Sequence, residues 1–202
     1  MSKKARFIVI EGLDGSGKST LTRHLKAILE EKKQQKVLTT YEPNDPSCGG
    51  DFIRDCLTKK ITEFDPRVLA LAFAANRLDH NVRTIKPWLA QGDDHIVLCD
   101  RYYFSSLVYQ SSPDFSFERV MELNEKAMQP DLFFFLNVSD EVCYQRMNKR
   151  DQPRELFEQN LGETRQKFMA ALDFLKKRGE TIHEIDGSGT VEKSVAQVLA
   201  YL

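Results

Sequence analysis

The apolar run FIVI, residues 7–10, is followed at once by EGLDGSGKST, residues 11–20. Gly12 to Ser19 fits G-x-x-x-x-G-K-[ST] at every fixed position. Leu21, Leu25, Ile28 and Leu29 follow as an apolar stripe at helical spacing. A buried strand, a glycine loop and an amphipathic helix, in that order, constrain the fold more than any other stretch. Glycines let the backbone curl so that successive N–H groups point inward at phosphate oxygens. The helix beginning near Lys18 adds the positive end of its dipole. In this pattern the Lys18 side chain reaches the β- and γ-phosphates of a nucleoside triphosphate, and the Ser19 hydroxyl ligates Mg²⁺. A glycine-rich turn without a ligand is the competing reading, and the flanking strand and helix speak against it.

Strand and helix signals alternate along the rest of the chain. HIVLCD (95–100) and LFFFLNV (132–138) read as fully buried strands, and KVLTTY (36–41) and TIHEI (181–185) as weaker ones. Asp65-Pro66 is a helix start, with proline in the first turn. The helix it opens is predicted to run toward Trp88, with Pro87 breaking or kinking it near the end. Phe157, Leu161, Thr164, Phe168, Leu172 and Leu175 predict another. Such alternation implies an α/β fold with a parallel sheet covered on both faces. The expectation is a single domain over 1–202: a three-layer P-loop NTPase-type fold around a parallel five-stranded sheet. Loops are predicted at 43–50, 111–114, 151–153 and 186–190. Ligands in such folds sit at the carboxyl ends of the strands.

Composition removes other classes. The formal net charge is -1 and no polybasic block occurs, so neither a nucleic-acid partner nor an anionic membrane surface is expected. The apolar run near the N-terminus is too short for a signal-peptide core, and no stretch approaches a membrane span. Cys48, Cys56, Cys99 and Cys143 lack CxxC spacing. Buried thiols in a reducing cytoplasm are the expectation.

Three further stretches bear on what happens to the triphosphate. In DRYYFSSLVYQ (100–110), Asp100 ends a strand, the position for a carboxylate near the metal, and Arg101 offers a guanidinium for phosphate. In LAFAANRLDH (71–80), Phe73 and Arg77 lie one helical turn apart, a ring to stack on a base and a cation for a phosphate. In NKRDQPRELFE (148–158), Lys149, Arg150 and Arg154 flank a polar loop that reads as a basic lid over phosphates. Each has a plainer reading: a surface ion pair, a core helix and a solvated charge run.

In this order the motifs resemble the thymidylate kinase family of nucleoside monophosphate kinases, over nearly the whole chain. They are the P-loop with Asp14, the Glu-Pro element in YEPNDP (41–46), Phe73-Ala74-Ala75-Asn76-Arg77, the D-R-Y segment from Asp100, and PDLFFFLNV (130–138) with the lid after it. The resemblance implies phosphorylation of dTMP to dTDP with Mg-ATP, in dTTP synthesis, by a cytoplasmic homodimer. It implies an ATP site over Gly12, Leu13, Asp14, Gly15, Ser16, Gly17, Lys18, Ser19 and Thr20, with Ser19 and Asp100 toward the metal. It implies a dTMP site drawn from Asp14, Glu42, Phe73, Arg77, Arg101, Ser105, Ser106, Tyr109 and Gln110. Within that site Phe73 stacks on the thymine ring, and Arg77 and Ser106 lie near the polar edge of the base. Arg101 holds the monophosphate, Tyr109 presses against the sugar, and Asp14 helps order acceptor phosphate and metal. Some members carry a catalytic arginine directly after the position of Asp14. Here that residue is Gly15, which shifts the role to the lid and to Arg154, with Arg150 beside it. The arginine usual just before or around the Glu-Pro element is missing, with Tyr41 ahead of Glu42, and Arg54 stands on the next helix.

Two alternatives stand beside this reading. One is a kinase for another nucleoside or deoxynucleoside monophosphate. The other is a P-loop GTP-binding switch, since Asn148-Lys149-Arg150-Asp151 matches N-K-x-D. In a switch that tetrad follows a buried strand, whereas here it ends a polar amphipathic helix.

Overall fold

The computed structural model describes residues 6–149, 156–157 and 160–202. β1 (Arg6–Glu11), β2 (Lys36–Tyr41), β3 (His95–Asp100), β4 (Leu132–Asn137) and β5 (Ile182–Asp186) form one parallel sheet in the order β2-β3-β1-β4-β5. The apolar runs become these strands because both sheet faces are covered; Phe7 to Ile10 and Ile96 to Cys99 are essentially inaccessible. The register places Ile10 beside Asp100, Asp100 beside Tyr41, and Glu11 beside Phe135. The carboxyl ends of four strands therefore open at one level.

Between and after the strands lie α1 (Lys18–Lys33), α2 (Gly50–Leu57), α3 (Pro66–His80), α4 (Lys86–Leu89), α5 (Tyr103–Gln110), α6 (Phe117–Asn124), α7 (Asp140–Met147), α8 (Leu161–Lys177) and α9 (Val191–Leu199). The crossover from β1 to β2 runs one way across the sheet and the later crossovers run the other. Right-handed connections then put α1 on one face and α3, α5 and α8 on the opposite one. The packing agrees: α1 lies against α9, while α5 packs on α3, α6 and α8. The three-layer expectation holds. Beneath α5, the Phe104, Phe135 and Phe168 rings meet at 5.3–5.6 Å. A second, smaller cluster joins Ile53, Cys56 and Leu57 of α2 to Leu69 and Phe73 of α3.

Three local expectations are corrected. Pro87 does not break the long helix: it sits in the first turn of α4, and the irregularity lies just before it, a π-helical turn over Asn81–Ile85. There Lys86 N donates to Asn81 O, five residues back. The wider turn relieves the clash a proline ring makes with the preceding turn. Phe157 does not belong to the α8 stripe, because Asn160 caps α8 by accepting from Glu163 N at 3.3 Å and the helix starts at Leu161. Cys56, Cys99 and Cys143 are buried, but Cys48 is exposed in the loop before α2.

Candidate active site

The glycine loop joins β1 to α1 at the open end of the sheet. Gly17 caps α1 with φ 103° and supplies no side-chain acceptor, so the first-turn N–H groups of α1 face the loop. The Lys18 ammonium folds back over the loop and donates to Gly12 O at 3.0 Å and Leu13 O at 2.9 Å. Burial, with Arg101 nearby, lowers its pKa, while Asp100, Asp14 and Glu11 act in the opposite sense. Gly15, at φ 80°, lies flush against α7: a Cβ there would stand 2.6 Å from Cys143 O and 2.9 Å from Met147 Cγ. Any side chain at position 15 would meet the backbone of α7, so this packing leaves no room for an arginine there. Gly15→Ala is expected to cost about 1–3 kcal/mol in backbone strain and displacement of α7. Differential scanning calorimetry checks this; an unchanged melting temperature would contradict it.

Arg101 follows β3 in the left-handed region, φ 69°, a conformation arginine rarely adopts. Its N–H bonds to Ile10 O at 3.0 Å, which fixes the turn. The turned backbone aims the guanidinium into the loop mouth. Nη2 donates to Asp14 Oδ1, and Nη1 donates to Ser105 Oγ at 2.9 Å and Gly12 O at 3.3 Å. The Tyr109 ring lies 5.4 Å from the guanidinium carbon, and the Tyr109 hydroxyl is 3.4 Å from Asp14 Oδ2. Burial alone would raise the Asp14 carboxyl, but Arg101 and Lys18 bring it below its ordinary value. Burial would weaken the Arg101 charge, yet Asp14 outweighs it and the guanidinium is held well above its usual range.

Glu11, at the end of β1, lies under this arrangement and is fully buried. It accepts from Tyr102 N at 2.7 Å, Ser105 N at 3.0 Å and Ser105 Oγ at 2.7 Å. It thus supplies a carboxylate to the start of α5, which has no side-chain cap of its own. Burial raises its pKa, against Arg101 and these hydrogen bonds. Beside the loop, Ser19 Oγ donates to Asp100 Oδ2 at 3.0 Å. Asp100 Oδ1 is buried and has no hydrogen-bond partner among the described residues. A hydroxyl oxygen beside a carboxylate with an unfilled oxygen is the donor set of a hard divalent cation, so these residues fit Mg²⁺.

A cavity of about 680 Å³ runs from this loop toward α3 and α5. Asp14, Gly15, Gly17, Lys18 and Ser19 line one end; Phe73, Arg77, Ser105, Ser106, Tyr109 and Gln110 line the other, with Glu42, Asp100 and Arg101 between. Ser106 and Gln110 lie one turn apart on α5, and Ser106 Oγ and Gln110 Oε1 are buried without a hydrogen-bond partner among the described residues. Glu42 is turned inward, 2.6 Å from Arg77 Nε and 3.2 Å from His80 Nδ1. Gly12, Leu13, Ser16 and Thr20 belong to the loop and the start of α1 but are not on the cavity wall; Leu13 is core. Arg150 and Arg154 lie outside the described residues. Asn148 ends α7, as the helix reading of the N-K-x-D match requires.

Sequence reasoning missed several neighbours of the site. Glu11 could have been noticed as a charge directly after the apolar run, at the carboxyl end of the strand. Phe157 stacks on Tyr109, centroids 4.9 Å apart and planes 26° apart, and closes one wall. Leu156 N beside it donates to Leu57 O at 3.0 Å, tying this segment to α2. Arg146 spans two loops, with Nη1 on Ser16 O at 2.7 Å and Nη2 on Gly187 O at 3.2 Å. Spacing within α7 gives no sign of this, because its partners come from elsewhere in the chain.

Comparison with known proteins agrees with the geometry. A family model described as Thymidylate kinase matches residues 10–198. The thymidylate kinase of Ligilactobacillus salivarius is 33% identical, over 98% of this chain and 98% of its own. The probable thymidylate kinase of Methanocaldococcus jannaschii is 36% identical, over 95% of this chain and 90% of its own. A solved structure of thymidylate kinase from Candida albicans superimposes with a TM-score of 0.77 at 25% identity, over 98% of this chain and 91% of that one. Likeness of this extent, in both sequence and structure, covers every element that builds the cavity, and the chain belongs to the thymidylate kinase family.

Proposed function

We propose that this chain transfers the γ-phosphoryl group of ATP to dTMP, giving dTDP and ADP. The observation that carries the proposal is the continuity of one cavity, with a phosphate-binding loop at one end and Phe73, Arg77, Ser106 and Gln110 at the other. The names of the relatives support thymidylate as the acceptor. Among the described residues, the switch reading has no strand ahead of Asn148, which ends a helix.

An oxygen of the acceptor monophosphate attacks the γ-phosphorus, and the bond from that phosphorus to the β–γ bridging oxygen breaks. The attacking oxygen is already ionised near neutral pH, so no general base is required of the protein. Its task is alignment and charge neutralisation. Lys18 and the N–H groups of the loop hold the donor phosphates, while Arg101, oriented by Asp14 and Ser105, holds the acceptor phosphate. Phe73 offers a face for the base, and Tyr109, braced by Phe157, walls the sugar. Ser19 and Asp100 would hold Mg²⁺, which supplies charge neutralisation on the phosphates. Residues 148–158 act as a lid that excludes water, a competing acceptor. Arg154 is assigned there to the transferring group: Arg154→Ala should lower kcat by about 10²-fold or more with little change in KM. An unchanged kcat would move the role to Arg150 or Lys149.

The assembly we propose is a cytoplasmic homodimer. Val68, Leu71 and Val82 are 48–61% exposed on α3 and the turn that follows it, an apolar face suited to a second copy. Leu71→Glu should shift the sedimentation coefficient toward the monomer; a monomeric parent protein would refute the dimer. ADP release with Mg-ATP and a panel of dTMP, dUMP, dCMP, dGMP, UMP and AMP tests the proposed reaction. Rapid turnover on dTMP with UMP poor is the expected result, and absence of turnover on dTMP would overturn the acceptor assignment.

A further inference from the structure

Arg77 is 1% exposed, yet it forms part of the cavity wall. Its guanidinium is held on two edges. Nε donates to Glu42 Oε2 at 2.6 Å, and Nη1 donates to Asn124 Oδ1. The Tyr102 ring packs beside it, its centroid 5.2 Å from the guanidinium carbon. Both partners are themselves fixed. The other oxygen of Glu42 meets His80 Nδ1 at 3.2 Å, and His80 Nε2 lies 2.8 Å from Thr40 Oγ1. Asn124 Nδ2 donates to Val120 O at 2.7 Å, which turns Oδ1 toward Arg77. Glu42, His80 and Asn124 are all buried. Among the described residues, Nη2 alone of the three guanidinium nitrogens has no hydrogen-bond partner.

Glu42, His80 and Cys99 also bring three potential metal-ligand atoms within 4.8 Å of one another. Two observations speak against a metal there. The Glu42 carboxylate already carries a guanidinium at 2.6 Å. Burial pushes the Cys99 thiol well above its ordinary range, so the thiolate a metal requires is disfavoured. The cluster is better explained by what it does to Arg77.

We propose that Asn124 and His80 are positioning residues for base recognition: with Glu42 they fix Arg77 so that its one open amino group faces the cavity and selects a pyrimidine with a carbonyl over one with an amine at that edge. This rests on the acceptor reading above. A guanidinium can only donate. Opposite a carbonyl, its open N–H groups are satisfied; opposite an amine, two donors face each other and both are left unpaired in a buried site. That discrimination lasts only while the guanidinium cannot rotate. Asn124 clamps it from α6 and Glu42 from the end of β2, with His80 of α3 preventing the carboxylate from turning away.

The test is steady-state kinetics of the parent protein, Asn124→Leu, Asn124→Asp and His80→Gln on dTMP, dUMP and dCMP, with melting temperatures. Asn124→Leu removes the acceptor at similar volume. It should lower the kcat/KM ratio of the preferred oxo-pyrimidine over dCMP by about tenfold, mainly through KM. Asn124→Asp retains an acceptor oxygen and should return that ratio to within about threefold of the parent. His80→Gln should move the ratio the same way by about threefold. A role in stability alone would lower the melting temperature and slow all three acceptors equally, and an unchanged ratio in both Asn124→Leu and His80→Gln overturns the proposal. If Asn124→Leu does not fold, Asn124→Ser carries the same expectation. Which oxo-pyrimidine the parent prefers tests the acceptor assignment, whereas the oxo-to-amino ratio tests the positioning role, so either can fail alone. A parent protein that prefers dCMP would overturn both.

Discussion

Arg101→Ala is expected to lower kcat/KM for dTMP by about 10³-fold, the scale at which a lost electrostatic contact to a transferring phosphoryl group is felt. The guanidinium contacts Asp14, Ser105 and Gly12, and its aim is set by a left-handed backbone that bonds to Ile10 O. Among the described residues, no other cationic side chain hydrogen-bonds to Asp14. Arg101→Lys should recover little, because an ammonium cannot reproduce the fork that spans Asp14 and Ser105. The substitution has a second signature. Arg101 is a main reason the buried Asp14 stays below its ordinary pKa, and burial opposes it. Without Arg101 the Asp14 pKa rises, ionised Asp14 is lost at higher pH, and the acid limb of the residual activity should move upward. The alanine variant should still fold, because the sheet and its aromatic core lie behind the site. Activity within tenfold of the parent would refute the assignment.

Lys18→Ala should cost a similar factor, about 10³, and should do so mostly in kcat. The Lys18 ammonium is poised by two loop carbonyls at 2.9 and 3.0 Å, bonds that a phosphate oxygen can replace. Three carboxylates surround it, Asp100, Asp14 and Glu11, and removing the one lysine leaves their charges less compensated at the loop mouth. A triphosphate entering that mouth would meet repulsion, which adds a smaller rise in KM, so the loss in kcat/KM should be larger at low salt than at high salt. Titration of turnover against ionic strength distinguishes this from a fold defect. A Lys18→Ala variant with parent-like turnover would remove the loop from the mechanism.

Much of the architecture was legible because its signals are local. Four consecutive apolar residues before a glycine loop mark β1, and Asp65-Pro66 marks the start of α3, where the Asp65 carboxylate accepts from Arg67 N at 2.8 Å. The spacing of Phe73 and Arg77 placed both on one helix face, and both line the cavity. Contacts between distant segments were not legible. Glu11 reaches Ser105 across 94 positions, Arg146 reaches Ser16 across 130, and Asn124 reaches Arg77 across 47. Arg146 and Asn124 are polar residues whose type fits their own helices equally well with or without that partner, and the charge of Glu11 after an apolar run signals a buried carboxylate without showing which segment it meets. Phe157 was misplaced for a related reason: its spacing continues the apolar period of α8, and only the cap at Asn160 shows that the helix has not yet begun.

The π-helical turn at Asn81–Ile85 resets the angular phase of a long helical segment. Each residue of an ordinary helix advances the face by about 100°, so one stretch cannot keep a single residue set aimed at two targets. Before the turn, Phe73 and Arg77 face the cavity and His80 faces Glu42. After it, Trp88 Nε1 donates to Ile96 O at 2.9 Å and the chain is anchored on β3. With the extra residue inserted between them, the face that meets substrate and the face that grips the sheet can be adjusted independently. Shortening the segment by one residue would remove the wide turn and force those two orientations to rotate together.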